Sequence, residues 1–163
     1  MKQLFGVLAR IARDRPPKKI AWAITGSAGL FLEKIRLQKI PKDVDIVTTF
    51  EGQRYFVEKW RKFQQGFISN EYKNGIHSKH ARFVLEGVEV KVIGEYKTGK
   101  NACLPAILAG KVDRRNRFGL PCLSPEEMQK MYSRLGRNKP ELDRFLRERS
   151  VPPHEKLGTT SKS

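Results

Sequence analysis

The sequence is poor in acidic residues and has no long apolar run. It carries 17 Asp and Glu against 33 Lys and Arg, a formal net charge of +16 over 163 residues. Such a surplus of cations attracts polyanions, of which nucleic acid is the usual one, although basicity for solubility alone is the plain alternative. No apolar stretch reaches the length of a membrane span, and the start of the chain is amphipathic, unlike a signal peptide. The lack of a long apolar run predicts a cytoplasmic protein, and the shortage of acidic residues favours a nucleic-acid partner.

Signatures of structural metal sites and of P-loop enzymes are also missing. The only two cysteines, Cys103 and Cys122, lie in apolar stretches without zinc-ligand spacing, which indicates reduced thiols in or near a core. His77 and His80 are close in sequence but His154 is distant, so the histidines form no ligand set. No Gly-x-x-x-x-Gly-Lys loop occurs, which argues against a P-loop ATPase.

Two short motifs stand at the front of the chain, each next to a predicted strand. Gly26-Ser27 follows the apolar run 20–25 and opens a predicted helix over 28–38, where free backbone N–H groups and the positive dipole end can hold a phosphate. Asp43-Val44-Asp45 begins the next predicted strand, 43–48, after a proline that bars helix. Because side chains alternate along a strand, Asp43 and Asp45 point to one face, where paired carboxylates require a cation between them. A phosphate cradle beside paired carboxylates predicts metal-assisted phosphoryl or nucleotidyl transfer.

This combination of strand, Gly-Ser, helix and Asp-x-Asp resembles the nucleotidyltransferase superfamily, in its small DNA polymerase beta-like form. The resemblance continues through 76–95, which is similar to the third and fourth strands of small bacterial and archaeal members. It also covers Leu123 to Asp143, which is similar to their closing helix pair. The resemblance thus spans residues 20–149 and implies a fold and an activity together.

The predicted fold is α+β: a small mixed sheet of about five strands, helices packed on one side, and a closing C-terminal helix pair. An N-terminal helix over 2–14 and a basic linker occupy 1–19. The predicted transferase domain occupies 20–149, with a catalytic core over 20–98 and the helix pair over 120–149. Further strands are predicted at 67–73, 80–85 and 88–93. Two prolines and a Ser/Thr/Lys-rich end predict a disordered tail over 150–163.

The resemblance implies a triphosphate substrate such as ATP and a divalent cation, Mg²⁺ or Mn²⁺. Asp43 and Asp45 are the expected metal ligands and catalytic residues, and Gly26 and Ser27 would hold the outer phosphates. The superfamily usually adds a third carboxylate on a neighbouring strand, but here Lys91 stands at that position. Glu89, two residues earlier on the same face, is the expected substitute as third acid and metal ligand. The alternatives are a Lys91 that binds phosphate, a Lys91 that pairs with the two aspartates in an enzyme without metal-assisted chemistry, and an exposed Glu–Lys pair on an edge strand.

Other cations are assigned by position. Arg82, Arg137 and Lys139 match places where the family binds the nucleotide, so they join Lys91 as predicted nucleotide-binding residues. A solvated strand edge is the competing interpretation for Arg82, and a helix salt bridge to Asp143 for Lys139. The predicted RNA-binding residues form one basic stretch: Lys111, Arg114, Arg115 and Arg117. A merely solvated loop is the alternative for this stretch.

The function predicted from these features is magnesium-dependent transfer of a nucleoside monophosphate from a triphosphate to a hydroxyl. The charge favours an RNA acceptor, for example a tRNA 3′ end. A transferase that modifies an antibiotic or a protein, including one of a toxin–antitoxin pair, is the first alternative. A nucleic-acid-binding module on a catalytically decayed fold is the second, with Lys91 as its sign and the intact aspartates against it. The sequence does not fix the oligomeric state.

Overall fold

A computed structural model describes residues 1–98, 101–102, 112–113 and 115–151. The cations predicted to bind RNA at Lys111 and Arg114 lie outside the described residues, as does the tail from 152 to 163. Within the described part of the chain, no helix is both long and apolar enough to cross a membrane.

The described residues form five α-helices and eight strands. The helices are α1 Lys2–Arg13, α2 Gly26–Leu32, α3 Phe50–Lys59, α4 Pro125–Arg134 and α5 Pro140–Ser150, with a 3-10 turn at Arg61–Phe63. The longer strands are β1 Trp22–Thr25, β2 Asp43–Thr48, β3 Ser69–Lys73, β4 Ile76–Leu85 and β5 Val88–Thr98. Three two-residue strands follow: β6 Asn101–Ala102, β7 Val112–Asp113 and β8 Cys122–Leu123. The α+β class and the sheet of about five substantial strands are confirmed.

The strands form one mixed sheet in the order β3-β4-β5-β2-β1-β8-β7, with β6 pairing with β5. β2 lies at its centre, antiparallel to β1 and parallel to β5. The left-handed residues Glu86 and Gly87 form the tight turn that joins β4 to β5. The central position of β2 places its first residues between two neighbouring strands, which is where the predicted aspartates stand.

Alternate residues of the central strands face two separate hydrophobic clusters. Val44 and Ile46 belong to the cluster that contains α1 and α3, whereas Val47 belongs to the cluster that contains α4 and α5. Because neighbouring strand residues point to opposite faces, the closing helix pair covers the face opposite α1 and α3. The apolar stripe of α1 is fully buried in the first cluster, so this helix packs within the core of the predicted domain.

Several predicted boundaries differ from the structure; for example, the strand predicted over 88–93 continues to Thr98. The helix predicted over 28–38 ends at Leu32, because Lys34 adopts a left-handed backbone and Ile35 turns back to donate its N–H to the Leu30 carbonyl and bury its side chain. The strand predicted from residue 80 begins at Ile76, since pairing with both β3 and β5 extends it. The predicted caps of the closing helices are confirmed: Ser124 accepts a hydrogen bond from the Glu127 N–H, and Gly136 has a positive φ beyond the end of α4.

Candidate active site

Gly26 lies at the junction of β1 and α2, directly against Asp45. Its φ is +66°, and a Cβ at this position would stand 2.7 Å from Asp45 Oδ2. From the sequence alone, the expected reason for glycine at position 26 is the close approach of a phosphate to the backbone. The structure adds a second reason, because the carboxylate of the neighbouring strand already fills the space that a side chain would need. Gly-Ser and Asp-x-Asp are therefore in contact, as their order along the chain predicts.

The two aspartates share one face at the start of β2. Asp45 pairs in register with Thr25 on one side and Lys91 on the other, and Asp43 pairs with Glu89. Both aspartates line a cleft of about 250 Å³ between the sheet and the closing helices. The face of β2 that strand alternation predicts for both aspartates is therefore the face that lines the cleft.

Asp45 is the electrostatic centre of this cleft. Its Oδ1 is buried and has no hydrogen-bond partner, and the nearest cation is the Lys91 ammonium at 3.7 Å. Burial raises the pKa of Asp45; Lys91 and Arg137 oppose that rise, whereas Asp43 adds to it. A buried carboxylate with an unsatisfied oxygen and a like charge nearby is stabilised by an added cation. Asp45 is thus more than a solvated strand-end carboxylate.

Lys91 and Glu89 occupy different surroundings. Lys91 lines the cleft beside Asp45. Glu89 is 47% exposed in its side chain, and its Oε1 lies 3.2 Å from Arg82 Nη1 rather than in the cleft lining. Among the described residues, no group of three or more His, Cys, Asp and Glu side chains is arranged to hold a metal. A third-acid role for Glu89 stays a prediction, and it requires the carboxylate to leave Arg82.

Arg82 belongs to an ion-pair network on β3, β4 and β5. Besides Glu89, its guanidinium contacts Glu71 Oε1 at 3.0 Å, and its side chain is 38% exposed. Arg82 is not among the residues that line the cleft. Its predicted contact with the nucleotide stays a prediction.

Arg137 and Lys139 reach the cleft from the loop between α4 and α5. The backbone of this loop is fixed where the Arg137 N–H bonds to the Tyr132 carbonyl. The Lys139 ammonium lies 5.3 Å from the centre of the Tyr132 ring. Asp143, the competing partner for Lys139, instead accepts a hydrogen bond from Gln129 at 2.8 Å. Arg137 and Lys139 therefore line the same cleft as the aspartates, and their predicted contact with the nucleotide stays a prediction.

Several other polar groups in the cleft were not predicted as site residues. Burial, with the nearby Asp45, raises the pKa of Tyr132 to about 12. Burial also lowers the pKa of His80 to about 4, even though Glu71 opposes the shift. His80 Nε2 hydrogen-bonds Ser78 Oγ at 2.7 Å, whereas its Nδ1 lies 3.1 Å from Glu71 without the alignment of a hydrogen bond. The period-two pattern that places His80 and Arg82 on one face is the signal that could have identified His80.

The described part of the basic stretch lies in a different place. Arg115 and Arg117 precede β8 and line a separate groove, not the cleft. The Arg117 guanidinium packs 4.6 Å from the Phe5 ring centre and 5.1 Å from that of Phe118. Arg117 thus has a packing role, and the RNA-binding role of both arginines stays a prediction.

The residues present fit a divalent cation held by two carboxylates. Asp43 and Asp45 offer hard oxygen ligands on one face, and the unsatisfied Oδ1 of Asp45 is of the donor type that Mg²⁺ and Mn²⁺ use. Mg²⁺ usually keeps several waters and shares its remaining positions with substrate phosphates, so two protein ligands suffice. Lys91 is the competing cation, and it would move away from Asp45 when a metal binds.

Comparison with solved structures agrees with this fold. A crystal structure from Thermotoga maritima, provisionally assigned as a nucleotidyltransferase, superposes with a TM-score of 0.68 at 21% identity, covering 90% of this chain and 92% of that one. The chain therefore shares the fold of that protein. A second structure, ANT(2")-Ia in complex with adenylyl-2"-tobramycin, matches with a TM-score of 0.49 at 12% identity, covering 95% of this chain and 81% of that one. No protein-family model and no curated protein matches the sequence.

Proposed function

We propose that this protein is an enzyme that transfers a nucleoside monophosphate from a nucleoside triphosphate to a hydroxyl group. The observation that carries the proposal is the Asp45 carboxylate, whose Oδ2 lies against Gly26 of the Gly-Ser turn and whose unsatisfied Oδ1 lies 3.7 Å from the Lys91 ammonium. A carboxylate in contact with a Gly-Ser turn is the arrangement that brings a metal-binding group to a triphosphate. The fold supports the same conclusion.

The triphosphate binds between the turn and the closing helices. The N–H groups at Gly26 and Ser27 and the Ser27 hydroxyl donate to phosphate oxygens at the start of α2. Arg137 and Lys139 line the same cleft and neutralise the phosphates from its far side. Four residues from two separate parts of the chain thus converge on one anion.

Asp43 and Asp45 would hold the divalent cation, which when bound would supply positive charge to the phosphate oxygens. The acceptor hydroxyl oxygen forms a bond to the α-phosphorus as the bond to pyrophosphate breaks. On the third-acid hypothesis the proton of that hydroxyl passes to Glu89, once its carboxylate leaves Arg82. Lys91 stands where the family has its usual acid and keeps a positive charge in the cleft, which favours the binding of the triphosphate.

The proposed acceptor is RNA, and the support is charge. A formal net charge of +16 suits a polyanionic substrate better than a cationic antibiotic, which an acidic pocket would bind. Among the charged residues that line the cleft, Lys73, Lys91, Arg137 and Lys139 balance three carboxylates. An enzyme that acts on a protein or a small molecule would leave the RNA unlabelled in the assay.

The test incubates the protein with each α-labelled nucleoside triphosphate and total RNA, with Mg²⁺ or Mn²⁺. We expect label in RNA with one preferred triphosphate and none with Asp45→Asn, whose side chain keeps its shape but loses its charge. Ser124→Ala, which removes only a helix cap, is the matched control for lost stability. Equal labelling by the parent and Asp45→Asn would place the chemistry elsewhere.

A second candidate function has a specific observation in its favour. Lys91 pairs with Asp45, and the described residues contain no three-ligand metal cluster, as in a nucleic-acid-binding module that has lost catalysis. This candidate predicts RNA binding without binding of Mn²⁺ and triphosphate. Isothermal titration of the parent with Mn²⁺ and each triphosphate separates the two functions, because only the enzyme binds them.

A further inference from the structure

A groove of the described chain lies beside the active-site cleft, not within it. It has a volume of about 640 Å³ and is bounded by the first turn of α1, by 31–41 after α2, and by 115–118 before β8. Nothing in the proposed transfer reaction uses this groove. Its walls combine two properties that are rarely placed together without a ligand.

The first property is a single sign of charge. The charged side chains that line the groove are all cationic: Lys34, Arg36, Lys39, Arg115 and Arg117. Among the residues that the structure describes, no Asp or Glu lines it. Lys34, Arg36 and Lys39 are exposed, which leaves their charges available to an anionic ligand. The potential in the groove is therefore positive along its length.

The second property is an aromatic floor. Phe5 has ring-centre distances of 6.1 Å to Phe31 and 6.0 Å to Phe118, and all three rings are half-buried in the groove lining. The Arg117 guanidinium lies over Phe5 and Phe118. Aromatic rings and arginine planes next to cations are what unpaired bases and their phosphates bind. A duplex keeps its bases stacked inside and would present only phosphates to these rings.

The groove continues to the active site. A shallower depression of about 550 Å³ is lined by Ser27, Asp43 and Lys139 of the cleft and also by 37–41, most of which line the groove. Ile40, at the shared boundary, is 49% exposed. A strand lying in the groove therefore has an open surface path to the phosphate cradle.

We infer that this groove binds single-stranded RNA and leads its hydroxyl end to the cleft. The identification of the strand as the acceptor rests on the proposed function, whereas the binding itself does not. An acidic protein segment would share the charge complementarity but has no use for the aromatic floor or for the path to the cleft. Protein docking is therefore the outcome that the test must exclude.

The test measures binding of fluorescein-labelled single-stranded RNA by anisotropy, without triphosphate, over a series of salt concentrations. The groove variant is Lys34→Gln, Arg36→Gln, Lys39→Gln. Its control, Lys59→Gln, Arg61→Gln, Lys62→Gln, removes the same residue types at exposed positions outside the groove. Because all six side chains are exposed, both variants are expected to fold, which urea unfolding checks.

Each phosphate contact with single-stranded nucleic acid contributes about 0.7 to the salt slope of the binding constant. The groove variant should therefore lose about 2 units of slope and bind about fiftyfold more weakly at 0.15 M salt, while the control keeps the parent slope. A blunt RNA hairpin should bind the parent more weakly than the single strand. Equal losses in the two variants, or equal binding of hairpin and strand, would overturn the inference.

Two further measurements separate the possible failures. Triphosphate binding should be unchanged in the groove variant, since its substitutions lie outside the cleft. RNA binding that follows the groove in a protein that transfers no nucleotide would refute the proposed function and the acceptor role together. Polyglutamate that displaces RNA from parent and groove variant equally would overturn the RNA site in favour of a protein surface.

Discussion

Gly26→Ala tests the contact that joins the two motifs of the active site. The substitution has two costs: a left-handed backbone of +66° and a Cβ placed 2.7 Å from Asp45 Oδ2. The backbone term is about 1–2 kcal/mol for a residue with a Cβ. Displacing the carboxylate is an overpacking change of about 1–3 kcal/mol. We expect Gly26→Ala to lower the free energy of unfolding by the sum, about 2–5 kcal/mol.

Gly66→Ala supplies the matched control. Gly66 has nearly the same φ, +69°, but no atom lies within 4 Å of the Cβ that it would gain. It shares the backbone term and the unfolded-state entropy of a Gly-to-Ala change, so the difference between the two variants isolates the contact. Urea unfolding should give a difference of about 1–3 kcal/mol.

A double variant checks that the Asp45 carboxylate is the group that a Cβ at position 26 would contact. Asp45→Ala removes the carboxylate and leaves only Asp45 Cβ, at an ordinary 3.5 Å. In the Asp45→Ala background, Gly26→Ala should therefore cost no more than Gly66→Ala does. Equal costs for the two glycine substitutions in the parent protein would refute the contact and the reason for glycine at this turn.

Three other predictions concern the charges of the cleft. Asp45→Asn should abolish transfer. Because burial raises the pKa of Asp45, the substitution should also stabilise the protein relative to the parent, increasingly as pH rises above the ordinary pKa of an aspartate. Urea unfolding over a series of pH values measures this difference. On the third-acid hypothesis, Glu89→Gln should lower kcat about a hundredfold or more with little change in KM. If Lys91 binds the triphosphate, Lys91→Ala should instead raise the KM for the triphosphate. Near-normal kinetics in both variants would leave β5 a structural role. Because burial lowers the pKa of His80 to about 4, its ring should stay neutral by NMR at pH 5. The free energy of unfolding should fall as pH falls from about 6.5 towards 4, because only the unfolded state gains the His80 proton in that range. A His80→Gln variant with the same pH dependence as the parent would contradict this.

The sequence by itself determined the parts that depend on local order. The period-two pattern of β2 placed Asp43 and Asp45 on one face, and Ser124 and Gly136 marked the ends of α4, because these features depend only on neighbours a few residues apart. The spacing of Gly-Ser and Asp-x-Asp, each beside its own strand, indicated the nucleotidyltransferase fold. The end of α2 could not be predicted from neighbouring residues, because the helix ends where Ile35 becomes buried in the core.

Only the tertiary structure decided which charges meet. The pairing of β2 with β5 placed Lys91 beside Asp45, while the network on β3 and β4 held Arg82 and Glu89 outside the cleft lining. Neither outcome can be derived from spacing, because strand register fixes which residues face each other and burial fixes how strongly their charges act. The same reasoning applies to His80, whose sequence position gives its face but whose pKa is set by what covers it.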